Sequence, residues 1–268
     1  MIAQIKRNEE LFSGYFLVDI EAEGVGRGAM PGQFFMLKVG PSTDPLLRRP
    51  LSLHRKLTDN SVRFLYRQAG RGTSLLSRLI AGDEVDVLGP LGNGFPIPDS
   101  VSHALIVGGG IGVAPLMGLG DYIADERKDA SAIAFIGGRG REYVLGIEQF
   151  KEKGIETFTA TEDGSLPKKG FITQVLDEYI LEHKDKDTGG WAIYSCGPKP
   201  MLVSVAALAK KHDIRNYTSM ESNMACGVGA CMGCVISVLD REHGSVMYKK
   251  VCDDGPVFDA DDIVWSEI

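Results

Sequence analysis

Four of the chain's five cysteines crowd towards one end, Cys226, Cys231, Cys234 and Cys252, in the spacing C-x4-C-x2-C-x17-C. This is the plant-type spacing for a 2Fe–2S cluster, in which four thiolates hold two irons. Gly227, Gly229 and Gly233 stand among the first three. A loop folded tightly around a cluster must bring backbone N–H groups up to the sulfurs, and glycine permits both the close approach and a positive φ. A structural zinc site normally uses two separated C-x2-C pairs, and buried free thiols need no spacing. A tight trio completed by a distant single cysteine suits neither. The spacing predicts a chain that handles single electrons.

At 268 residues, the length fits two domains and a small appendage. The start, MIAQIKRNEELF, carries charge and no apolar stretch, so no signal peptide is expected. The longest apolar run, Ala104 to Gly120, is broken by Gly108, Gly109, Gly110, Gly112, Pro115 and Gly118, which suits a nucleotide loop rather than a membrane span. Cysteines at ligand spacing point to a reducing cytoplasm rather than a disulfide framework. Residues 218–268 hold nine acidic side chains against three basic ones, and so carry most of the net charge of −7. Such a surface disfavours nucleic acid and either steers a basic protein partner or is merely solvated.

Residues 1–99 read as short strands (FLVDIEA, QFFMLKV, PLSLHRK, VRFLYRQ, DEVDVLGP) punctuated by Pro31-Gly32, Asp59-Asn60 and Ala81-Gly82-Asp83. This grammar predicts a small antiparallel β-barrel. Over residues 100–217 it changes. HALIV, SAIAFIG, IETFTA and WAIYS are apolar without alternation, and helical stretches are expected from Ala114 to about Arg127, Thr173 to His183 and Met201 to His212. Strands buried on both faces and alternating with helices predict an α/β doubly wound parallel sheet. Residues 218–268 form the cluster-binding tail, too short for a full core, which must lean on its neighbours.

Within the first part, Arg49-Pro50-Leu51-Ser52 and Leu65-Tyr66-Arg67 precede Gly70-Arg71-Gly72-Thr73, a glycine turn opening a short helix. Helix N-termini offer N–H groups to a pyrophosphate, and Arg49 adds a charge-assisted contact. Gly89-Pro90-Leu91-Gly92-Asn93-Gly94-Phe95 then makes a turn between domains. Together with Pro31-Gly32-Gln33-Phe34, these motifs resemble the flavin barrel of the ferredoxin–NADP reductase superfamily. The resemblance implies FAD held by Arg49, Pro50, Leu51, Ser52, Leu65, Tyr66, Arg67, Gly72 and Thr73. Many members place an aromatic residue between the arginine and the serine, where this chain has Pro50-Leu51. Stacking on the flavin is therefore expected from aliphatic packing or from Tyr66.

In the second part, a strand runs into Gly108-Gly109-Gly110-Ile111-Gly112 and a helix, which places a phosphate at Gly109, Gly110 and Gly112 or makes a tight turn. Cys196-Gly197-Pro198-Lys199-Pro200-Met201 likewise joins strand to helix and matches the Cys-Gly-Pro-x-x-Met signature of the same superfamily. That resemblance puts Cys196, Gly197 and Pro198 beside the nicotinamide. No general acid or base is identifiable. The second strand ends in Arg139-Gly140-Arg141 with no acid before Glu142, so the residues alone leave NAD and NADP evenly matched. His103, His183 and His212 read as surface or strand-end residues.

Glu221-x-x-Met224-Ala225-Cys226-Gly227-x-Gly229-x-Cys231-x-x-Cys234 and Val251-Cys252-x-Asp254-Gly255-Pro256-Val257-Phe258 resemble the electron-transfer subunit of class 1B dihydroorotate dehydrogenase. The resemblance spans nearly the whole chain. It implies NAD as acceptor, a catalytic partner carrying FMN that oxidises dihydroorotate, two of each subunit, and no activity on dihydroorotate by this chain alone. Three rivals stand beside it: an oxygenase-type reductase, for which the tail is short; a subunit serving another dehydrogenase or a ferredoxin; and a non-catalytic redox sensor.

Overall fold

Along Val62-Arg63-Phe64-Leu65-Tyr66, alternate side chains part company: Val62, Phe64 and Tyr66 are buried in one core, while Leu65 packs in another. Successive side chains of a strand face opposite ways, so this one strand serves two cores. The computed structural model describes residues 1–40, 43–183 and 188–268. Its first sheet comprises β1 (Ile2–Phe12), β2 (Tyr15–Glu21), β3 (Phe34–Lys38), β4 (Arg49–Ser52), β5 (Arg55–Thr58) and β6 (Ser61–Arg67), then, after helix α1 (Arg71–Leu76), β7 (Glu84–Leu91). The spatial order is β4-β3-β7-β1-β2-β6-β5, and all neighbours are antiparallel. The outermost strands are consecutive in sequence. Leu53 N–H bonds Gln33 O and His54 N–H bonds Arg63 O, so the β4–β5 link closes the sheet into the expected barrel. Closure removes exposed edges.

The second sheet follows β8 (His103–Gly109), α2 (Ala114–Glu126), β9 (Ser131–Gly138), α3 (Ile147–Glu152), β10 (Glu156–Thr161), α4 (Ile172–Glu182), β11 (Trp191–Cys196), α5 (Lys199–His212) and β12 (Arg215–Ser219). Its order, β10-β9-β8-β11-β12, is parallel throughout. Along β8, Ala104 and Ile106 join the core under α2, whereas Leu105 and Val107 join the core with α4 and α5. Both faces are covered, which is why its strands read as unbroken apolar runs. The tail adds the hairpin β13 (Val235–Asp240) and β14 (Ser245–Lys250), and then β15 (Val257–Asp259), which pairs antiparallel with β12. Its core is borrowed as expected: Cys234, Ile236, Val238, Val251 and Cys252 pack with barrel residues Phe34 and Met36 and with Leu202 and Met220.

Barrel and nucleotide-binding sheet are joined at His54, which is 3% exposed and whose Nδ1 lies 3.1 Å from the carbonyl of Ala114, at the start of α2. Next to it, Arg55 donates to Asp121 at 2.9 Å. Burial, reinforced by Arg55 and Arg63, lowers the His54 pKa to about 3 against the opposing pull of the Ala114 carbonyl. The ring thus stays neutral in the folded protein, while the unfolded chain takes up a proton below about pH 6.5. Stability is therefore present in full above that pH and is lost as pH falls from there towards 3. Denaturant unfolding at pH 7 and pH 5 should show His54→Gln sparing about 2 kcal/mol of the acid-induced loss. Equal losses in variant and native chain would show that His54 is not the titrating group.

Candidate functional site

The cysteine loop lies on the barrel. A Cβ on Gly227 would come 2.6 Å from Met36 Cγ, and one on Gly229 would come 2.6 Å from Asp253 Oδ2. Both glycines have positive φ (72° and 74°), as the sequence predicts for two of the three; Gly233 does not. The four cysteines that share a site fall into two pairs, Cys226 with Cys231 and Cys234 with Cys252. Among the described residues no three His, Cys, Asp or Glu side chains gather as around one metal ion.

Backbone N–H groups aim at these sulfurs. Those of Val228, Cys231 and Ala230 hold the Cys226 thiol down to about 6, with burial opposing. Gly229 N–H donates to Cys252 Sγ at 3.2 Å, but burial, with Cys234 alongside, pushes Cys252 up to about 11. Donors aimed at sulfur favour thiolate. Of the expected ligands, Cys234 and Cys252 are buried and Cys226 and Cys231 partly exposed. The fifth cysteine, Cys196, lies apart at the end of β11, buried, its pKa raised by that burial and then by Glu221.

A contact absent from the sequence reading anchors the loop. Asn93 Nδ2 donates to the carbonyls of Asp253 and Asp254, each at 3.0 Å, and its N–H to Gly255 O at 2.6 Å. The Gly89–Phe95 turn therefore holds the Cys252 segment as well as joining two domains. Its glycines were the available signal: a Cβ on Gly92 would meet Gly255 O at 2.7 Å.

Two of the flavin-signature residues, Arg49 and Pro50, line a cleft next to this loop. The cleft, of about 420 Å³, runs between Leu46, Leu47, Arg48, Arg49 and Pro50 on one wall and Ser222, Asn223 and Met224 on the other. Arg49 lies across Gly72, so closely that a Cβ there would stand 2.0 Å from its Nε. Its guanidinium donates to the carbonyls of Leu47 and Arg48. The cradle thus fits an anion-bearing cofactor: a guanidinium held over a glycine at the start of α1.

One expectation is corrected here. Tyr66 cannot stack on a flavin: its ring is buried in the barrel, stacked on Phe16 at 5.4 Å, and its hydroxyl donates to Asn8. Strand parity turns it inward together with Phe64, which leaves the aliphatic alternative. Helix α1 is short, as expected, and its six residues make a weak dipole. Thr73 serves the turn itself: its Oγ1 accepts from Ala69 N–H at 2.9 Å and Gly70 N–H at 3.1 Å and donates to Gly70 O. Pro50 and Ser52 are half-buried on β4, Leu51 points into the barrel, Leu65 packs towards the nucleotide-binding half, and Arg67 is exposed.

Where the parallel sheet's order reverses, between β8 and β11, two glycine loops meet. A Cβ on Gly112 would lie 2.5 Å from Cys196 O, and one on Gly109 would lie 2.7 Å from Met201 Sδ and 2.9 Å from Pro198 Cδ. These two glycines permit loop-on-loop packing. Gly110, at φ 54°, has nothing within 4 Å of its would-be Cβ and is the one open to an approaching phosphate. Gly197 presses on Gly109. Nucleotides bind at such switch points, at the carboxyl ends of the strands.

Glu221, part of the tail motif, lies just past β12. It lies on the surface, next to the Ser222–Met224 wall of the cleft. Burial raises its pKa, and Arg67 opposes. Because it also acts on Cys196, the three residues stand around the meeting point of the two cofactor signatures.

Residues 221–264 match the family model of the iron-sulfur cluster binding domain of dihydroorotate dehydrogenase B, and residues 106–207 match the oxidoreductase NAD-binding domain. The dihydroorotate dehydrogenase B (NAD(+)) electron transfer subunit of Bacillus caldolyticus is 44% identical over 87% of this chain and 86% of that protein. That of Desulforamulus reducens is 35% identical over 94% of this chain and 93% of that one. Among solved structures, a NADH-dependent reduced ferredoxin-NADP oxidoreductase, described in work on flavin-based electron bifurcation, superposes with a TM-score of 0.84 at 25% identity, covering 99% of this chain and 91% of that one. The ferredoxin reductase of carbazole 1,9a-dioxygenase, at 24% identity and a TM-score of 0.64, shares the fold over 79% of this chain. The ferredoxin–NADP reductase fold, the NAD-linked oxidoreductase character and the FAD, 2Fe–2S and NAD complement all agree with these likenesses. The chain belongs to the family of dihydroorotate dehydrogenase B (NAD(+)) electron transfer subunits.

Proposed function

We propose that this chain carries electrons from a dihydroorotate-oxidising partner subunit that holds FMN, in a complex with two of each subunit, to NAD. The observation that carries the reading is the cleft in which Arg49 and Pro50 face Ser222–Met224, so that the flavin cradle adjoins the cysteine loop. In this reading residues 1–99 form the FAD-binding domain, 100–217 the NAD-binding domain and 218–268 the cluster domain, which shares β15 with its neighbour. When bound, the cluster and FAD supply one-electron transfer and hydride chemistry respectively.

The chain's own residues then have distinct tasks. Cys226, Cys231, Cys234 and Cys252 ligate the irons, and Asn93 and Met36 fix their loop. Arg49 binds the FAD pyrophosphate, the turn built by Thr73 shapes its seat, and the Pro50 side of the cleft packs the ring. Gly110 admits the NAD phosphates while Cys196 and Glu221 flank the nicotinamide. No helix among the described residues is long and apolar enough to cross a membrane, and cysteines at cluster-ligand spacing suit a reducing cytoplasm.

The reading is tested by purifying the chain anaerobically with its native companions, then adding dihydroorotate and NAD. NADH formation is expected from the complex and none from the chain alone. A flavoprotein-containing complex with intact flavin and cluster absorbance that forms no NADH would reject dihydroorotate as the electron source. The solved relative that acts on ferredoxin gives the second reading, a subunit serving another donor, which that outcome would favour. NADH oxidation with an artificial acceptor excludes a pure sensor.

A further inference from the structure

The barrel meets the cysteine loop through a buried thioether. Strand parity divides β3: Phe35 and Leu37 fill the barrel, while Phe34 and Met36 face the tail and pack with Cys234, Val251 and Cys252. Met36 is fully buried. Gly227, between Cys226 and Cys231, lies so close that a Cβ there would stand 2.6 Å from Met36 Cγ, 2.8 Å from Sδ and 3.0 Å from Cε. Across the sheet Met36 pairs with Pro50, which lines the cleft opposite Ser222–Met224. Cross-strand partners share a face, so one side chain both touches the cysteine loop and neighbours the flavin strand.

The two sides of the loop differ in chemistry. Towards the tail it meets donors and a cation. Gly229 N–H reaches Cys252 Sγ at 3.2 Å, and Lys250 Nζ, itself paired with Asp253, donates to Gly229 O at 2.8 Å. Towards the barrel it meets Met36, whose sulfur has no proton to give. Donors and water stabilise the extra negative charge of a reduced cluster and raise its potential, whereas an apolar shell withholds that stabilisation. The side of the loop that faces the flavin strand is the dry one.

We propose that Met36 is a positioning residue for electron transfer: its thioether forms a dry contact between the cysteine loop and the flavin strand and thereby keeps the cluster's potential low, so that an electron is passed on rather than retained. The proposal rests on the reading that Cys226, Cys231, Cys234 and Cys252 hold the cluster. Methionine suits the place because its unbranched side chain fills an irregular gap under a glycine loop without bringing a donor.

The test is a redox titration, followed by electron paramagnetic resonance, of the full chain carrying FAD and cluster. Met36→Leu keeps an apolar side chain of similar volume and should leave the reduced-to-oxidised ratio of the cluster at a fixed potential within about twofold of native. Met36→Gln, of similar length, brings an amide donor to the loop. It should raise that ratio at least about tenfold, a rise of about 59 mV in a one-electron midpoint. Met36→Ser, small enough to admit water beside the loop, should move the midpoint the same way. Iron content and flavin absorbance report that each variant is loaded. Polar variants with a native midpoint would overturn the proposal and leave the cluster assignment standing. A Met36→Leu shift as large as that of Met36→Gln would also overturn it, by making packing rather than polarity the cause. So would loss of the cluster from both polar variants, because Met36 would then build the seat rather than tune it. A native chain that shows no cluster signal on reduction would overturn the parent reading and the proposal with it.

Discussion

Cys252→Ser is expected to empty the cluster site and to abolish partner-linked NADH formation, while NADH oxidation with an artificial acceptor continues at close to the native rate. Cys252 is the one proposed ligand outside the 226–234 loop, and it ties that loop to the 250–256 segment through the N–H of Gly229. Serine matches it in size but is a poor ligand for iron. Loss of partners that merely orient a ligand costs about 10–100-fold in metal affinity, so loss of the ligand itself should exceed that. The tail has little core of its own, sharing Phe34, Met36, Leu202 and Met220 with the other two parts. Its order should loosen, with the hairpin β13–β14 becoming protease-sensitive. The barrel and the parallel sheet have cores built mainly from their own residues, with Leu65, Phe95 and Val257 reaching into the sheet's, and for that reason the flavin-to-nicotinamide reaction is expected to survive. Iron analysis and the two activities read the outcome. A variant that keeps two irons and native partner-linked turnover would show that Cys252 is not a ligand.

How far the sequence reaches is visible element by element. Strands with alternating or unbroken apolar runs, such as β6 and β8, were legible because both patterns follow from which faces are covered. β1 was not: Ile2, Ala3 and Ile5 give way to a charged run, and only Ala3 and Ile5 are buried in its first half. β12 and β15 hide for another reason. RNYTS carries a polar Asn216, Thr218 and Ser219 that are all buried, and Ser195 hydrogen-bonds Asn216 Oδ1 and Thr218 Oγ1, although Asn216 Nδ2 is left without a partner. Burial of paired polar groups leaves no hydrophobic signature.

The site divides in the same way. Cysteine spacing is a local pattern, and the fold brings Cys226 beside Cys231 and Cys234 beside Cys252. Which way a ring points, however, depends on strand parity and on what lies behind the strand; Tyr66 goes inward because β2 lays Phe16 opposite it. Convergence of residues far apart in the chain is invisible without the fold, as with Asn93 reaching the Cys252 segment or Met36 packing against Gly227. Glycines mark such places without naming the partner. Gly92, Gly112 and Gly140 each stand where another segment occupies the room a side chain would take.

Gly72 gives that idea its sharpest test, together with Arg49. Arg49→Ala should weaken FAD binding by at least about 100-fold, because each charge-assisted hydrogen bond is worth roughly 1.5–3 kcal/mol and a guanidinium can make two to a phosphate. Gly72→Ala leaves the charge in place, but its methyl would stand 2.0 Å from Arg49 Nε and 2.5 Å from Cζ, so the guanidinium must leave its position over α1. Its loss should approach that of Arg49→Ala. The double variant decides between two accounts of the glycine. If Gly72 acts by seating Arg49, removing the arginine abolishes the clash, and Gly72→Ala should cost almost nothing more in the Arg49→Ala background. If Gly72 instead lets the backbone touch the pyrophosphate directly, the two losses should add. FAD titration of flavin-stripped protein, followed by quenching of flavin fluorescence, measures all four corners of the cycle. Unchanged unfolding midpoints of the stripped forms would confine the effect to the cradle. Additive losses would remove Arg49 from Gly72's role and make the glycine a ligand contact in its own right.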